Sequence, residues 1–271
     1  MFTLLHNTIP SAIAVTIGPV PIRWYGIMLT IAVFAGYFLA RHYFGKAGHN
    51  KAKFDNLFLP LVLIGLLGAR LTNVFLFEWW YFKNHLSEIF NIWQGGLAFH
   101  GAIIFGGVYL WQWCKKQSIN FLSLLDILAP ALTVGQAIGR FGNYFNQELF
   151  GLPTNLPWGI PIAEDLRPSQ FSIQEYFHPT FLYESIGLII LTIILLLLGR
   201  RTKPAGSIFA YYLIGSGLLR FALEFIRVDE QLIVWGIRIG LLIGFITILV
   251  GLFLLLYRIY KSKNVKIKIP N

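Results

Sequence analysis

The run GQAIGRFGNYFNQELFG, residues 135–151, sets Arg140, Glu148 and the amides of Gln136, Asn143 and Asn146 among glycines at the end of an apolar stretch. A charge held within a bilayer is costly, so Arg140 is a functional-site candidate by default. Arg140 and Asn143 are three apart and share a face if the helix continues. A guanidinium is a planar fork that fits phosphate oxygens in pairs. The amides around it both donate and accept. The chemistry implied is the capture of an anionic, phosphate-bearing group at the edge of a membrane. The structural alternative is an arginine snorkelling to the interface as an anchor. That accounts for one arginine and leaves the clustered amides and glycines unexplained.

Three further segments put polar groups where lipid is expected. In GGLAFHGAIIFGG, residues 95–107, His100 lies among glycines. Its ordinary pKa of about 6.5 suits a proton acceptor; the other reading is close helix packing, with the imidazole bonded to a neighbouring span. In RFALEFIR, Arg220, Glu224 and Arg227 follow i, i+4, i+7 on one helix face. Arg220 either converges with Arg140 on one anion or pairs internally with Glu224. In HPTFLYES, Pro179 suits the first turn of a helix, and Glu184 lies one turn inside. Glu184 needs a partner, for which Arg70 of LLGARLTN is a candidate; that pair reads as structural. Every one of these groups except Arg70 is placed near the outer end of its span.

The elements that position these residues are membrane spans. Of 271 residues, 56% are hydrophobic and 13% charged, against about 25% charged in a soluble protein. Spanning helices need about 20 apolar residues. Seven segments qualify: 24–42, 55–77, 97–114, 121–141, 179–198, 206–226 and 232–257. The third and fourth are the weakest by hydropathy. Lys and Arg test the topology. Fourteen of the 22 fall after the first, third, fifth and seventh spans (Arg41, Lys46, Lys51, Lys53; Lys115, Lys116; Arg200, Arg201, Lys203; Arg258, Lys261, Lys263, Lys266, Lys268). The alternate segments hold Arg23, Lys83, Arg167 and Arg227. An all-α, polytopic protein of seven transmembrane helices follows, N-terminus outside and C-terminus cytoplasmic. It reads as a single membrane domain over 1–271, with an outer-side arm or head region that includes the long loop 145–178. Trp79, Trp80, Tyr81 and Trp93 mark an outer interface.

Several functions are excluded. The net charge of +10 lies mostly in loops of one side, which argues for membrane topology and against nucleic acid. The N-terminus lacks the basic start of a signal peptide. Cys114 is the sole cysteine, so no intramolecular disulfide or multi-cysteine metal site exists. HExxH, GxSxG and P-loop motifs are absent. No metal and no cofactor is expected. Any nucleophile comes from a second substrate. An enzyme acting on an anionic lipid leads; an anionic-lipid transporter or flippase is the alternative, and a structural membrane protein the third reading.

The run GRFGNYFNQELFG closely resembles the signature of the bacterial prolipoprotein diacylglyceryl transferases. IRWYGIML (22–29), GARL (68–71), GGLAFHG (95–101), HPTFLYES and RFALEFIR fall in that family's order. The resemblance implies transfer of the diacylglyceryl group of phosphatidylglycerol to the thiol of a lipobox cysteine in a prolipoprotein signal peptide. A thioether forms and glycerol phosphate leaves, at the bacterial plasma (inner) membrane. It implies that Arg140 binds phosphatidylglycerol, that Asn143, Gly151 and Arg220 are essential, and that His100 and Tyr25 take part in activity. Glu148 and Glu224 match acidic positions ranked next; Asn146 completes the substrate-binding set. One departure stands out. Many relatives carry tyrosine four residues before the arginine matched here by Arg220, where this chain has Ser216, so the role of that tyrosine is open in this chain; Tyr212, one turn earlier, is a candidate substitute.

Overall fold

A computed structural model describes residues 6–92, 95–200, 204–228, 233–234 and 236–267. Trp93, Arg201, Lys203 and Lys268, used above, lie outside the described residues. The chain is mostly helical. Its long helices are α1 (Trp24–Lys46), α2 (Lys51–Thr72), α4 (Phe99–Gln117), α5 (Phe121–Phe145), α6 (Thr180–Gly199), α7 (Ser207–Glu224) and α8 (Ile239–Ile267), with a single turn α3 at Trp79–Phe82. Each of the seven expected spans contains a helix; six lie within a few residues of their expected bounds, while the seventh, expected at 232–257, is helical from Ile239 to Ile267, with short strands at Ile233–Val234 and Ile237–Arg238 before it. Among the described residues, five helical stretches are long and apolar enough to cross a bilayer: Trp24–Lys46, Lys51–Phe77, Phe121–Phe145, Thr180–Gly199 and Ile239–Ser262. The chain is thus a polytopic membrane protein in composition and architecture. The hydropathy ranking needs one correction, because α5 is in this set and α7 is not. Arg220 and Glu224 both lie on α7 and dilute its apolar run.

The expectation of helices alone also needs correcting. Among the described residues there are three two-stranded antiparallel sheets: β1 (Ile13–Ile17) with β2 (Val20–Arg23), β3 (Ile160–Pro161) with β4 (Tyr176–Phe177), and β5 (Ile233–Val234) with β6 (Ile237–Arg238). Gly18, at φ 58°, makes the first turn. Hairpins this short leave little periodic signal.

Two compact units make up the chain, Met1–Ala40 with Leu125–Asn271, and Arg41–Leu124. In the first unit, small polar contacts lock α5 against α6. Ser185 Oγ donates to the Ala137 carbonyl at 2.9 Å, and Thr192 Oγ1 to Thr133 Oγ1 at 2.7 Å. Asp126 of α5 binds the start of α7. Its carboxylate accepts from the backbone N–H of Gly206 (2.7 Å) and Phe209 (2.8 Å), satisfying amides at the start of α7 that have no partner within that helix. The long loop packs down through a cluster of Tyr144, Phe150, Ile160, Ile162, Phe177, Phe181 and Leu182. The N-terminal segment joins it, with His6 Nδ1 2.8 Å from the Gly159 carbonyl and its ring stacked on Tyr176.

In the second unit, α2 packs on α4. A side chain at Gly101 would run into the Gly68 carbonyl and Thr72, so glycine permits this approach. Arg70, buried in the last turn of α2, donates to the carbonyls of Ile89 (2.8 Å), Gly95 (3.0 Å), Gly96 (3.0 Å) and Glu88 (2.6 Å). Its guanidinium also covers the Phe82 ring at 4.9 Å. Arg70 is a strap on the segment leading to α4, not the partner of Glu184, which is bound by Arg140 instead.

Candidate functional site

The signature run folds into one connected polar chain at the end of α5. Arg140 Nη2 donates to Glu184 Oε1 of α6 at 2.6 Å. Its Nη1 reaches Asn143 Oδ1 at 3.4 Å, and Asn143 Nδ2 donates to Glu148 Oε2 at 3.0 Å. Asn146 Nδ2 holds the other carboxylate oxygen at 3.1 Å. Two amides thus grip both oxygens of Glu148. An ionised carboxylate only accepts, so Asn143 must turn its nitrogen to Glu148 and its oxygen to Arg140. Asn143 and Glu184 are buried, Arg140 half-buried and Glu148 exposed.

Backbone strain surrounds Glu148. Gln147 (φ 53°) and Leu149 (φ 54°) occupy the left-handed region, which is uncommon for non-glycine residues and costs of order 1–3 kcal/mol each. Nearby bonds hold them there. Gln147 Oε1 accepts from Ala163 N at 2.7 Å, and its Nε2 donates to the Pro10 carbonyl at 3.4 Å. The Leu149 carbonyl accepts from Phe181 N at 3.2 Å and from Thr180 Oγ1. Sequence reasoning missed this, since no glycine marks either position.

Gly151 lies where three backbone segments meet. Its N–H donates to the His178 carbonyl at 2.8 Å, it bridges to Arg227, and Leu152 N donates to the Ile226 carbonyl at 2.8 Å. A Cβ at Gly151 would stand 2.8 Å from the Ile226 oxygen and 2.9 Å from His178 Cβ and Thr180 Cγ2. The neighbouring His178 is tied into a short polar chain: Trp158 Nε1 donates to Tyr183 Oη at 2.8 Å, and Tyr183 Oη lies 3.0 Å from His178 Nδ1.

From α7, Arg220 approaches with its Nε buried and without a hydrogen-bond partner; Arg140 Nε is in the same state. Among the described residues Arg220 forms no ion pair. It feels the charges of Arg227, Glu184, Arg140 and Glu224. The internal Arg220–Glu224 pair weighed above is absent. Glu224, 1% exposed, instead lies 3.4 Å from Arg227 Nη1 and 3.1 Å from Arg238 Nε. Arg238 also donates to the carbonyls of Arg227 (2.6 Å) and Glu224 (3.2 Å).

The model of the family described as prolipoprotein diacylglyceryl transferase matches residues 12–257. The chain belongs to that family. Its relatives include proteins named phosphatidylglycerol–prolipoprotein diacylglyceryl transferase. That of Prochlorococcus marinus (strain NATL1A) is 40% identical over 275 residues, covering 92% of this chain and 90% of the relative. That of Parasynechococcus marenigrum (strain WH8102) is 41% identical over 228 residues, 82% of each chain. That of Synechocystis sp. (strain ATCC 27184 / PCC 6803 / Kazusa) is 40% identical over 248 residues, covering 89% of this chain and 87% of the relative.

The remaining positions that match this prolipoprotein diacylglyceryl transferase signature divide between the units. Tyr25, in the first turn of α1, lays its ring on Gly142 of α5, where a Cβ would sit 2.8 Å from Tyr25 Cδ2. It is 40% exposed, and its hydroxyl has no hydrogen bond among the described residues. Tyr212 is bound by Gln136, whose Nε2 donates to its oxygen at 2.7 Å, and Ser216 Oγ donates to its own helix at the Tyr212 carbonyl. His100 belongs to the other unit, in the first turn of α4, exposed and with no hydrogen bond among the described residues.

Proposed function

We propose that this chain transfers the diacylglyceryl group of phosphatidylglycerol to the lipobox cysteine of prolipoproteins. One observation carries the site assignment. Arg140 and Arg220 lie within electrostatic reach of each other, and each has a buried Nε without a hydrogen-bond partner. Two such cations repel, and an anion bound between them relieves both the repulsion and the missing bonds.

The reaction balances as a substitution at carbon. The substrate thiol loses its proton, because the thiolate is the nucleophile. Sulfur attacks the glyceryl carbon that bears the phosphate, a C–S bond forms, and the C–O bond to phosphate breaks. Glycerol phosphate leaves with an added negative charge. Arg140 and Arg220 stabilise that charge in a half-buried setting, where fixed cations count for more than in water. Asn143, Asn146 and Glu148 hold Arg140's surroundings in place, and Gly151 and Glu224 fix the adjacent backbone and arginines. Tyr25 brings an unpaired hydroxyl to the same unit. His100 is retained as the proton acceptor on the family resemblance alone.

The whole of 1–271 acts as one membrane domain in this reading. All seven helices cross, with the N-terminus and the loop 145–178, part of an arm or head, outside and the C-terminus in the cytoplasm. The alternation of Lys and Arg between loops supports this. The plasma (inner) membrane of a bacterium is then its place, with phosphatidylglycerol in the bilayer and signal peptides as partners.

The test is transfer in detergent from phosphatidylglycerol labelled in its diacylglyceryl part to a lipobox peptide. A thioether-linked product, absent with a Cys→Ser peptide and with Arg140→Ala, is expected. Lipid binding without transfer by intact protein would replace this reading with lipid transport.

A further inference from the structure

We infer that Glu184 is a positioning residue that acts on the phosphate through Arg140. This rests on the reading of Arg140 as the phosphate-binding arginine. The buried carboxylate of Glu184 takes the Nη2 of Arg140 at 2.6 Å. Asn143 takes Nη1 from the other side. Between them they fix the rotation of the guanidinium about its long, flexible stem. The buried Nε is left without a protein acceptor.

The carboxylate is itself held rigidly. Its neighbour Ser185 is hydrogen-bonded to Ala137 of α5, and two turns further on Thr192 meets Thr133. Phe181 closes the same interface against Phe141 and Tyr144. Four contacts therefore set the register of α6 on α5, and Glu184 inherits that register. A bidentate guanidinium contact depends on direction as well as distance. Reach and placement at position 184 thus decide how well Arg140 meets a phosphate. The acceptor oxygen matters more than the charge, since the charge by itself draws Arg140 away from an anion.

Two substitutions separate these terms. Glu184→Gln keeps an acceptor oxygen at the same reach and removes the charge. Glu184→Asp keeps the charge and shortens the reach by one methylene. Transfer kcat/KM is expected to fall about threefold in Glu184→Gln and tenfold or more in Glu184→Asp, by the sensitivity of catalysis to small misplacements. Affinity for short-chain phosphatidylglycerol, measured by titration of the purified protein, should fall in the same order. In an Arg140→Gln background Glu184→Asp should weaken that affinity no further. Equal losses, the reverse order, or an undiminished effect without Arg140 overturns the inference. Wild-type protein that binds the lipid and transfers nothing removes the proposed reaction, and the affinity series then decides Glu184 separately. Wild-type protein that neither binds nor transfers overturns both.

Discussion

Arg238 Nε lies 3.1 Å from the carboxylate of Glu224, an approach across 14 residues that closes the end of α7 onto β6. With Arg227 on its other oxygen, this carboxylate is enclosed by two arginines. Removing one side of a buried ion pair typically costs about 3–5 kcal/mol. Glu224→Ala should therefore lower the unfolding midpoint in detergent well below that of Arg238→Ala, whose side chain is 30% exposed. Equal midpoints would show that Glu224 is not the hub of this corner.

Arg140→Lys keeps the charge and discards the fork. Charge-assisted hydrogen bonds contribute about 1.5–3 kcal/mol, so kcat/KM for transfer should drop roughly 10- to 100-fold, and Arg140→Ala should abolish transfer. Initial rates on protein confirmed to be membrane-inserted provide the check. Full activity in Arg140→Lys would mean that a point charge suffices.

Gly151→Ala forces a methyl group to within 2.8 Å of the Ile226 carbonyl oxygen. Backbone lines one side of this site, so it cannot yield as a side-chain tip would. Overpacking of this kind costs about 1–3 kcal/mol. Limited proteolysis should open the loop 145–178, and transfer should be lost with it. A protease-resistant, active variant would show that the three segments separate without harm.

Arg70→Lys tests the strap. Four carbonyls accept from Arg70, and an ammonium has three donors on a different geometry. At least one carbonyl loses its partner, at about 1–3 kcal/mol. Hydrogen exchange should rise over the described parts of 88–98 while α6 stays protected. Unchanged exchange there would refute the strap.

Cys114 is 1% exposed. A maleimide should fail to label folded protein, and Cys114→Ala should transfer at close to the wild-type rate, because the reacting thiol belongs to the peptide. A dead Cys114→Ala enzyme that still folds would require a nucleophile in the protein.

Sequence alone determined what depends on neighbours along the chain. Apolar length marked where the long helices lie, since each forms its hydrogen bonds within itself, and five of these stretches are long and apolar enough to cross a bilayer. The spacing of three put Arg140 and Asn143 on one face, and the signature run held Glu148 and Asn146 within a few residues of them. Tertiary structure decided the pairings between elements. Glu184 lies 44 residues from Arg140, and both it and Glu224 had another plausible arginine by spacing or height. For Glu184 the choice turns on helix rotation and register, which Ser185–Ala137 and Thr192–Thr133 set and which leave no periodic trace. The left-handed Gln147 and Leu149 were hidden for a related reason. Their backbone conformation is imposed by Ala163, Pro10, Thr180 and Phe181, residues brought there only by the folded loop and helix.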